Sequence, residues 1–252
     1  MSRRPGRAAR VLAREVERER AERIVRDLKR SNADLMRRLE KERVTKQDLV
    51  DAVHRAALEA AESVDVPTPL PPQPQPDRGT PETAVVVMSD WQLAKRTPSY
   101  STEVCAQRVS RYVDKVMHLT DIQRADRPIR KAVVCLLGDL VEGEQIFPGQ
   151  VHRIDASLFR QTMLDGPQIL VDAVNRLSGY FEEVEVHEVI GNHGRIGRRG
   201  DYHPETNADA MLYHASRLLM GRNPRVRWEM NYQPGERAWY KVFAIGQHNY
   251  FL

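Results

Sequence analysis

Apolar runs alternate with amphipathic segments from residue 82 onward, and this alternation limits the possible folds more than any other feature. Runs of strand length occupy Ala84–Met88, Ala132–Leu137 and Val184–Ile190. Helical spacing of apolar residues follows each run, over Thr102–Ala125, Ser157–Phe181 and Glu205–Met220. Two further strands are predicted at Val226–Met230 and Trp239–Ile245. This order predicts an α/β layer structure with a largely parallel sheet.

Each of the three strand-like runs ends in polar residues that can bind metal ions. The pairs are Asp90 with Gln92, Asp139 with Glu142, and Asn192 with His193. Parallel strands bring their carboxyl ends to one edge of a sheet, where ligands bind in α/β folds. We therefore expect these side chains to converge, although a single Asp at a strand end is often only a cap or a turn former.

Three sequence motifs resemble those of a known family. S-D-W-Q at 89–92, G-D-L-V-E-G at 138–143 and G-N-H-G at 191–194 are similar to the first three motifs of the calcineurin-like metallophosphoesterases. The resemblance runs from about residue 84 to the end. G-D-L-V-E-G-E-Q-I-F-P-G-Q, at 138–150, is also similar to phosphoesterases of actinobacterial phages, and the family includes DNA-repair exonucleases. The resemblance to this family implies a metallophosphoesterase-type αββα sandwich.

The resemblance also implies a two-metal site with defined roles for several residues. Asp90 and Gln92 would bind one ion, Asp139 would bridge both, and Asn192 would bind the second. The family implies Mn, Fe or Zn, and Mg also suits oxygen ligands. A hydroxide would attack phosphorus while His193, as the catalytic residue, protonates the leaving oxygen.

Several positions depart from the family pattern. Gln92 replaces a His, and Gly194 replaces an acid that often orients the catalytic His; Asp155, Asp201 or Glu205 are candidates for that partner. The family also takes ligands from late histidines. His248 is the only late one here, so we expect a C-terminally incomplete fold in which His248 is either a ligand or a surface residue.

Basic and aromatic residues near the motifs are candidates for substrate binding. Arg195 follows the third motif closely and could bind phosphate or lie on a solvated loop. His152 follows the second motif and is either a substrate contact or part of an ordinary polar loop. Trp91 is expected to pack in the core rather than to stack on a base.

The N-terminal part of the chain differs in composition from the rest. Residues 1–60 carry 17 Lys/Arg against 11 Asp/Glu, a balance of +6, whereas the remaining 22 and 24 give −2. Residues 7–62 lack Pro and Gly, and Ile24, Leu28, Leu35 and Leu39 form a thin apolar stripe. A basic helical arm over 1–62 is predicted, either a coiled coil that makes a homo-oligomer or a solvated helix, with nucleic-acid contact as a further alternative.

A proline-rich segment separates this arm from the body. Residues 63–81 contain seven prolines and predict an extended linker, with a ligand for a groove-binding domain as the alternative. The body therefore spans 82–252. The N-terminus has no apolar signal core, no apolar stretch reaches membrane length, and Cys105 and Cys135 form no disulfide framework. The expected location is the cytoplasm, or the host cytoplasm for a phage protein.

Together these features predict an enzyme. It would be a metal-dependent phosphoesterase that hydrolyses phosphodiester or phosphomonoester bonds, as a nuclease or phosphodiesterase acting on nucleic acid or nucleotides, with no membrane partner. The alternative is a non-catalytic nucleic-acid-binding or assembly protein on a degenerate, truncated phosphoesterase fold. Gln92, Gly194 and the missing histidines favour that alternative.

Overall fold

The computed structural model describes residues 29–34, 36–38, 41, 79–198, 202–203, 206–229 and 239–252. The chain divides into two units, Met1–Ala52 and Val53–Leu252. In the first unit the described residues are helical and exposed. Most of the arm and nearly all of the predicted linker at 63–81 lie outside the described residues, so their predicted bounds stay predictions.

A four-stranded parallel sheet forms the centre of the second unit. Its strands are β1 (Thr83–Met88), β2 (Lys131–Leu136), β3 (Glu183–Glu188) and β4 (Val226–Glu229). They lie in the order β1-β2-β3-β4, and each neighbouring pair is parallel. The α/β class and the parallel sheet predicted from the sequence are confirmed.

Three helices make the crossovers between these strands. They are α1 (Thr102–Arg124), α2 (Asp165–Tyr180), which follows a π-helical turn at Arg160–Leu164, and α3 (Ala208–Met220). The Ser101 side chain accepts the Val104 N–H at the start of α1, and the Asn207 side chain accepts the Asp209 N–H at the start of α3. Ser101 and Asn207 are therefore the N-caps of α1 and α3.

The strand register explains where the core lies. Val86, Val134 and Val186 are neighbours across β1, β2 and β3, and all are buried in one cluster with apolar residues of the three helices. Because side chains alternate along a strand, the intervening residues face the other side of the sheet. Val133 and Glu185 lie there side by side.

A hairpin packs on this second face. Its strands β5 (Val242–Ile245) and β6 (His248–Phe251) are antiparallel, and the Phe243 ring stacks on buried His187 of β3 at 3.8 Å between centroids. Val85 and Val87 of β1 stay about half exposed on the same face. The αββα arrangement itself stays a prediction. Within the described ranges, no helix is both long and apolar enough to cross a membrane.

Candidate functional site at the carboxyl edge of the sheet

Backbone hydrogen bonds join the segments that follow β1 and β2. The Asp90 N–H donates to the Gly138 carbonyl at 3.2 Å, and the Gln92 N–H donates to the Asp139 carbonyl at 3.0 Å. A third bond, of 2.8 Å, joins Leu93 N–H to the Leu140 carbonyl. The two segments therefore continue side by side beyond the ends of their strands.

The Asp139 carboxylate brings in the segment after β3. Its Oδ1 accepts the backbone N–H of His193 at 2.7 Å. The three motif segments, which are far apart in sequence, thus meet at one edge of the sheet, as the parallel topology predicts.

Glycines are required where these segments touch. A Cβ on Gly138 would lie 2.3 Å from the Gly191 nitrogen, and a Cβ on Gly191 would lie 2.1 Å from Asp139 Oδ1. A Cβ on Gly194 would lie 2.3 Å from Asn207 Oδ1, the cap of α3. Any side chain at these positions, including an acid at 194, would separate the segments, so these glycines serve close backbone approach.

Three of the predicted ligands have left-handed backbone conformations. The φ angles are 53° at Asp90, 46° at Gln92 and 54° at Asp139. Non-glycine residues rarely adopt such angles, and each costs about 1 kcal/mol or more. Strain of this kind, repeated three times at one edge, is typical of a functional site that fixes the direction of its side chains.

Asp209 holds the second and third motif segments together. Its carboxylate is fully buried and accepts four backbone N–H groups: Asp139 at 3.0 Å, Leu140 at 3.1 Å, Val141 at 3.3 Å and Gly191 at 2.9 Å. Burial raises the pKa of this carboxyl to about 6, although the N–H bonds favour its charged form. Local sequence spacing gives no signal for this role, because the contacts reach 70 residues back along the chain.

Glu142 is the acidic partner of His193. The His193 Nδ1 lies 3.2 Å from the Glu142 carbonyl oxygen and 3.3 Å from its Oε2. Both atoms are acceptors, so the neutral ring carries its proton on Nδ1 and leaves Nε2 free to face a substrate. Asp155 is not this partner, because its carboxylate binds the N–H of Thr102 at 2.8 Å and the hydroxyl at 2.6 Å. Asp201 and Glu205 lie outside the described residues.

Two buried amides hold the loop that carries Glu142. The Gln150 side chain donates to the Glu142 carbonyl at 2.7 Å and to Oε1 at 3.3 Å, and it accepts the Ile146 N–H. Gln161 accepts the Gly143 N–H at 2.9 Å. The Glu142 carboxylate is thereby positioned from one side by Gln150 and faces His193 with its other oxygen.

The predicted metal ligands are oxygen donors with different surroundings. Asp90 is exposed and accepts the Ser89 hydroxyl, whereas the Gln92 amide oxygen accepts the ammonium group of Lys95. The Asn192 side chain is exposed at the edge. In the described part of the chain, no group of three or more His, Cys, Asp or Glu side chains has the arrangement of a metal site. A cation at this edge would therefore depend on amide oxygens as well as on Asp90 and Asp139.

The remaining residues that the sequence analysis named near the site differ in how close they lie to the motif segments. Arg195 donates through Nε to the Asn192 carbonyl at 3.0 Å, so it stays beside the motif segments. His152 is exposed on a short turn at Gln150–Arg153, and no described hydrogen bond ties it to the motif segments. Trp91 packs against the core, as expected, and His248 is exposed on β6.

Sequence reasoning placed Gln150 in a loop above the site without a role, and it missed Gln161 and Lys95. Two of them follow the motif Asp139–Gly143 within about twenty residues, but a lone Gln carries no periodic or spacing signal that would identify it. No protein-family model matches the chain, and no curated protein matches it either.

Proposed function

We propose that the chain is a metal-dependent phosphoesterase that hydrolyses phosphoester bonds of nucleic acid or nucleotides through a two-metal hydroxide mechanism. The observation that carries this proposal is the convergence of Asp139, His193 and Glu142. The Asp139 carboxylate accepts the backbone N–H of His193 and holds its segment, whereas the Glu142 carboxylate faces the ring at Nδ1 and favours one orientation and tautomer of the imidazole. Such an arrangement suits proton transfer at the leaving oxygen of a phosphoester.

The donor set fits hard divalent cations. Asp90, Asp139 and Asn192 offer carboxylate and amide oxygens, which suit Mg or Mn more than a thiol-binding metal. The strained backbone at Asp90 and Asp139 supports a site whose donors are held in place before a cation arrives. Bound there, the cations would supply Lewis acidity and the nucleophile.

The residues of the chain have separate tasks in this proposal. His193 would give a proton from Nε2 to the leaving oxygen when its ring is protonated at both nitrogens, and Glu142 keeps the ring oriented through Nδ1. Arg195 is close enough to the Asn192 segment to bind a phosphate oxygen with its remaining N–H groups. The basic balance of residues 1–60 favours a polyanionic substrate.

The test uses bis-p-nitrophenyl phosphate and single-stranded DNA with Mn²⁺, with and without a chelator. We expect chelator-sensitive hydrolysis that Asp90→Asn lowers by about a hundredfold or more, since a metal ligand is weakened. Asp126→Asn, a change at an exposed aspartate outside the motifs, is the matched control. Isothermal titration with Mn²⁺ should show weaker binding for Asp90→Asn. Activity that persists in this variant would contradict the metal mechanism.

The alternative is a non-catalytic nucleic-acid-binding or assembly protein on the same fold. The contact between the Lys95 ammonium and the Gln92 amide favours it, because a cationic side chain takes up an oxygen that a metal would need. This alternative predicts DNA binding without Mn²⁺ and no hydrolysis under any metal. Under it, Lys95→Ala would not create Mn²⁺ binding.

A further inference from the structure

A cavity of about 530 Å³ lies beside the candidate site, between the end of β1 and helix α1. The segment Ser89–Gln92 forms one end of it, so the cavity opens next to the predicted ligands Asp90 and Gln92. Its volume is within the range of small-molecule sites, about 300–1,000 Å³. None of the roles assigned above uses this space.

Aromatic side chains wall the cavity and are fixed in place. The Tyr112 hydroxyl donates to the Val87 carbonyl at 2.8 Å, and the Tyr100 hydroxyl donates to the Trp91 carbonyl. Both phenol rings are therefore tied to the backbone of β1 and of the segment after it. The floor is apolar, with Met88 and Val109. Rigid aromatic walls over an apolar floor suit a planar ring.

Two cations stand at the rim. The Arg108 guanidinium lies over the Tyr100 ring, 5.1 Å from its centroid, and Lys95 contacts the neutral Gln92 amide. Within the described ranges neither of them has an ion-pair partner. With Asp90 as the carboxylate of the lining, the cavity has a net positive charge and suits an anion.

We propose that this cavity binds a nucleotide unit, with the base between the aromatic walls and the phosphate at Lys95 and Arg108. The proposal deepens the proposed function, on which it rests, because it names the part of the substrate held next to the scissile bond. A planar base accounts for the aromatic walls, and a phosphate accounts for the two cationic side chains. Neither an uncharged aromatic compound nor a bare phosphate uses both features.

The test measures binding by isothermal titration calorimetry in excess chelator, so that metal and catalysis play no part. Deoxyadenosine monophosphate is compared with ribose 5-phosphate, which lacks the base, and with the dinucleotide pdApdA. We expect the mononucleotide to bind about tenfold more tightly than ribose 5-phosphate, since stacking is lost without a base. Tighter binding of pdApdA than of the mononucleotide would identify nucleic acid as the source, and equal binding would identify free nucleotides.

Arg108→Ala is the informative variant, because Arg108 is exposed on α1 and its loss leaves the core intact. We expect it to weaken mononucleotide binding about tenfold, the effect of one charge-assisted contact. Arg111→Ala, which removes an exposed arginine of the same helix outside the cavity, should change binding by less than about twofold. Thermal unfolding of both variants checks that they fold.

Three outcomes would overturn the proposal. The first is an equal loss of mononucleotide affinity in the Arg108→Ala and Arg111→Ala variants. The second is equal affinity for ribose 5-phosphate and the mononucleotide, and the third is no detectable binding of either nucleotide. Failure of the enzyme proposal is separate: nucleotide binding in chelator without hydrolysis of bis-p-nitrophenyl phosphate would retain the cavity site and reject the phosphoesterase. Hydrolysis without nucleotide binding would reject the cavity site alone.

Discussion

The buried carboxylate of Asp209 binds the backbone N–H of Asp139 at 3.0 Å, although the two residues are 70 positions apart. The same oxygen accepts the Gly191 N–H at 2.9 Å. One side chain at the start of α3 therefore fixes the spacing of two motif segments. The edge of the sheet depends on this anchor as well as on the predicted ligands.

Asp209→Asn should destabilise the fold by about 2–3 kcal/mol, because its NH₂ group would face backbone donors and leave them buried without an acceptor. Urea unfolding measures the loss. Asp126→Asn, at an exposed position, should change the free energy of unfolding by less than about 0.5 kcal/mol. A stable Asp209→Asn variant would show that the four N–H contacts are dispensable.

A comparison of Gly138→Ala with Gly149→Ala separates the energetic cost of backbone strain from that of a steric clash. Both glycines have positive φ, 81° and 76°, so both alanines should cost about 1 kcal/mol of strain. Only at 138 does the new Cβ meet backbone, at 2.3 Å from the Gly191 nitrogen, whereas open space surrounds 149. We expect Gly138→Ala to lower the free energy of unfolding, measured in urea, by at least about 2 kcal/mol more than Gly149→Ala does. Equal losses would contradict the close approach of the segments.

Glu142→Gln tests the orientation of His193. Glutamine keeps the size of the side chain but removes the carboxylate that faces the ring, so we expect phosphoesterase activity to fall about 10- to 100-fold. KM should change little, because Glu142 is buried and contacts the imidazole at Nδ1 rather than the substrate. The control is Glu144→Gln, since glutamine can still accept the Leu158 N–H that Glu144 accepts. Equal activity in both variants would remove Glu142 from the proposed mechanism.

Glu185 should make stability depend on pH on the second face of the sheet. Burial tends to raise the pKa of its carboxyl, but hydrogen bonds from Lys131 and Arg227 outweigh burial and hold it at about 2. The pKa of Glu185 in the folded chain is below the unfolded value of about 4.5. Its ionised carboxylate therefore contributes fully to the stability of the fold at neutral pH, and this contribution declines as pH falls toward 2.

Glu185→Gln should therefore be less stable than the unchanged chain by about 2 kcal/mol at neutral pH, allowing for the partial exposure of Lys131 and Arg227. The gap should shrink when urea unfolding is repeated near about pH 3. Glu103→Gln, at an exposed position on α1, is the control. A gap that stays constant with pH would assign the effect to packing rather than to charge.

The amino-acid sequence determined the class and order of the elements. Apolar runs and helical spacing are local properties, so Ala84–Met88, Thr102–Ala125 and Ala132–Leu137 predicted β1, α1 and β2 within one or two residues. The convergence of the motif segments also followed, because parallel strands share one carboxyl edge. The ligand roles of Asp90, Gln92, Asp139 and Asn192 stay predictions.

Only the tertiary structure decided which polar groups contact one another across that edge. Asp155 and Glu142 are both acids near the second motif, but one caps α1 and the other faces His193. The buried anchor Asp209 and the cavity beside β1 likewise depend on contacts between distant segments. The spacing of apolar residues along the chain is a local property, so it can be read from the sequence. Which polar side chains contact one another depends on their distance and direction in the folded chain, and sequence spacing does not give these.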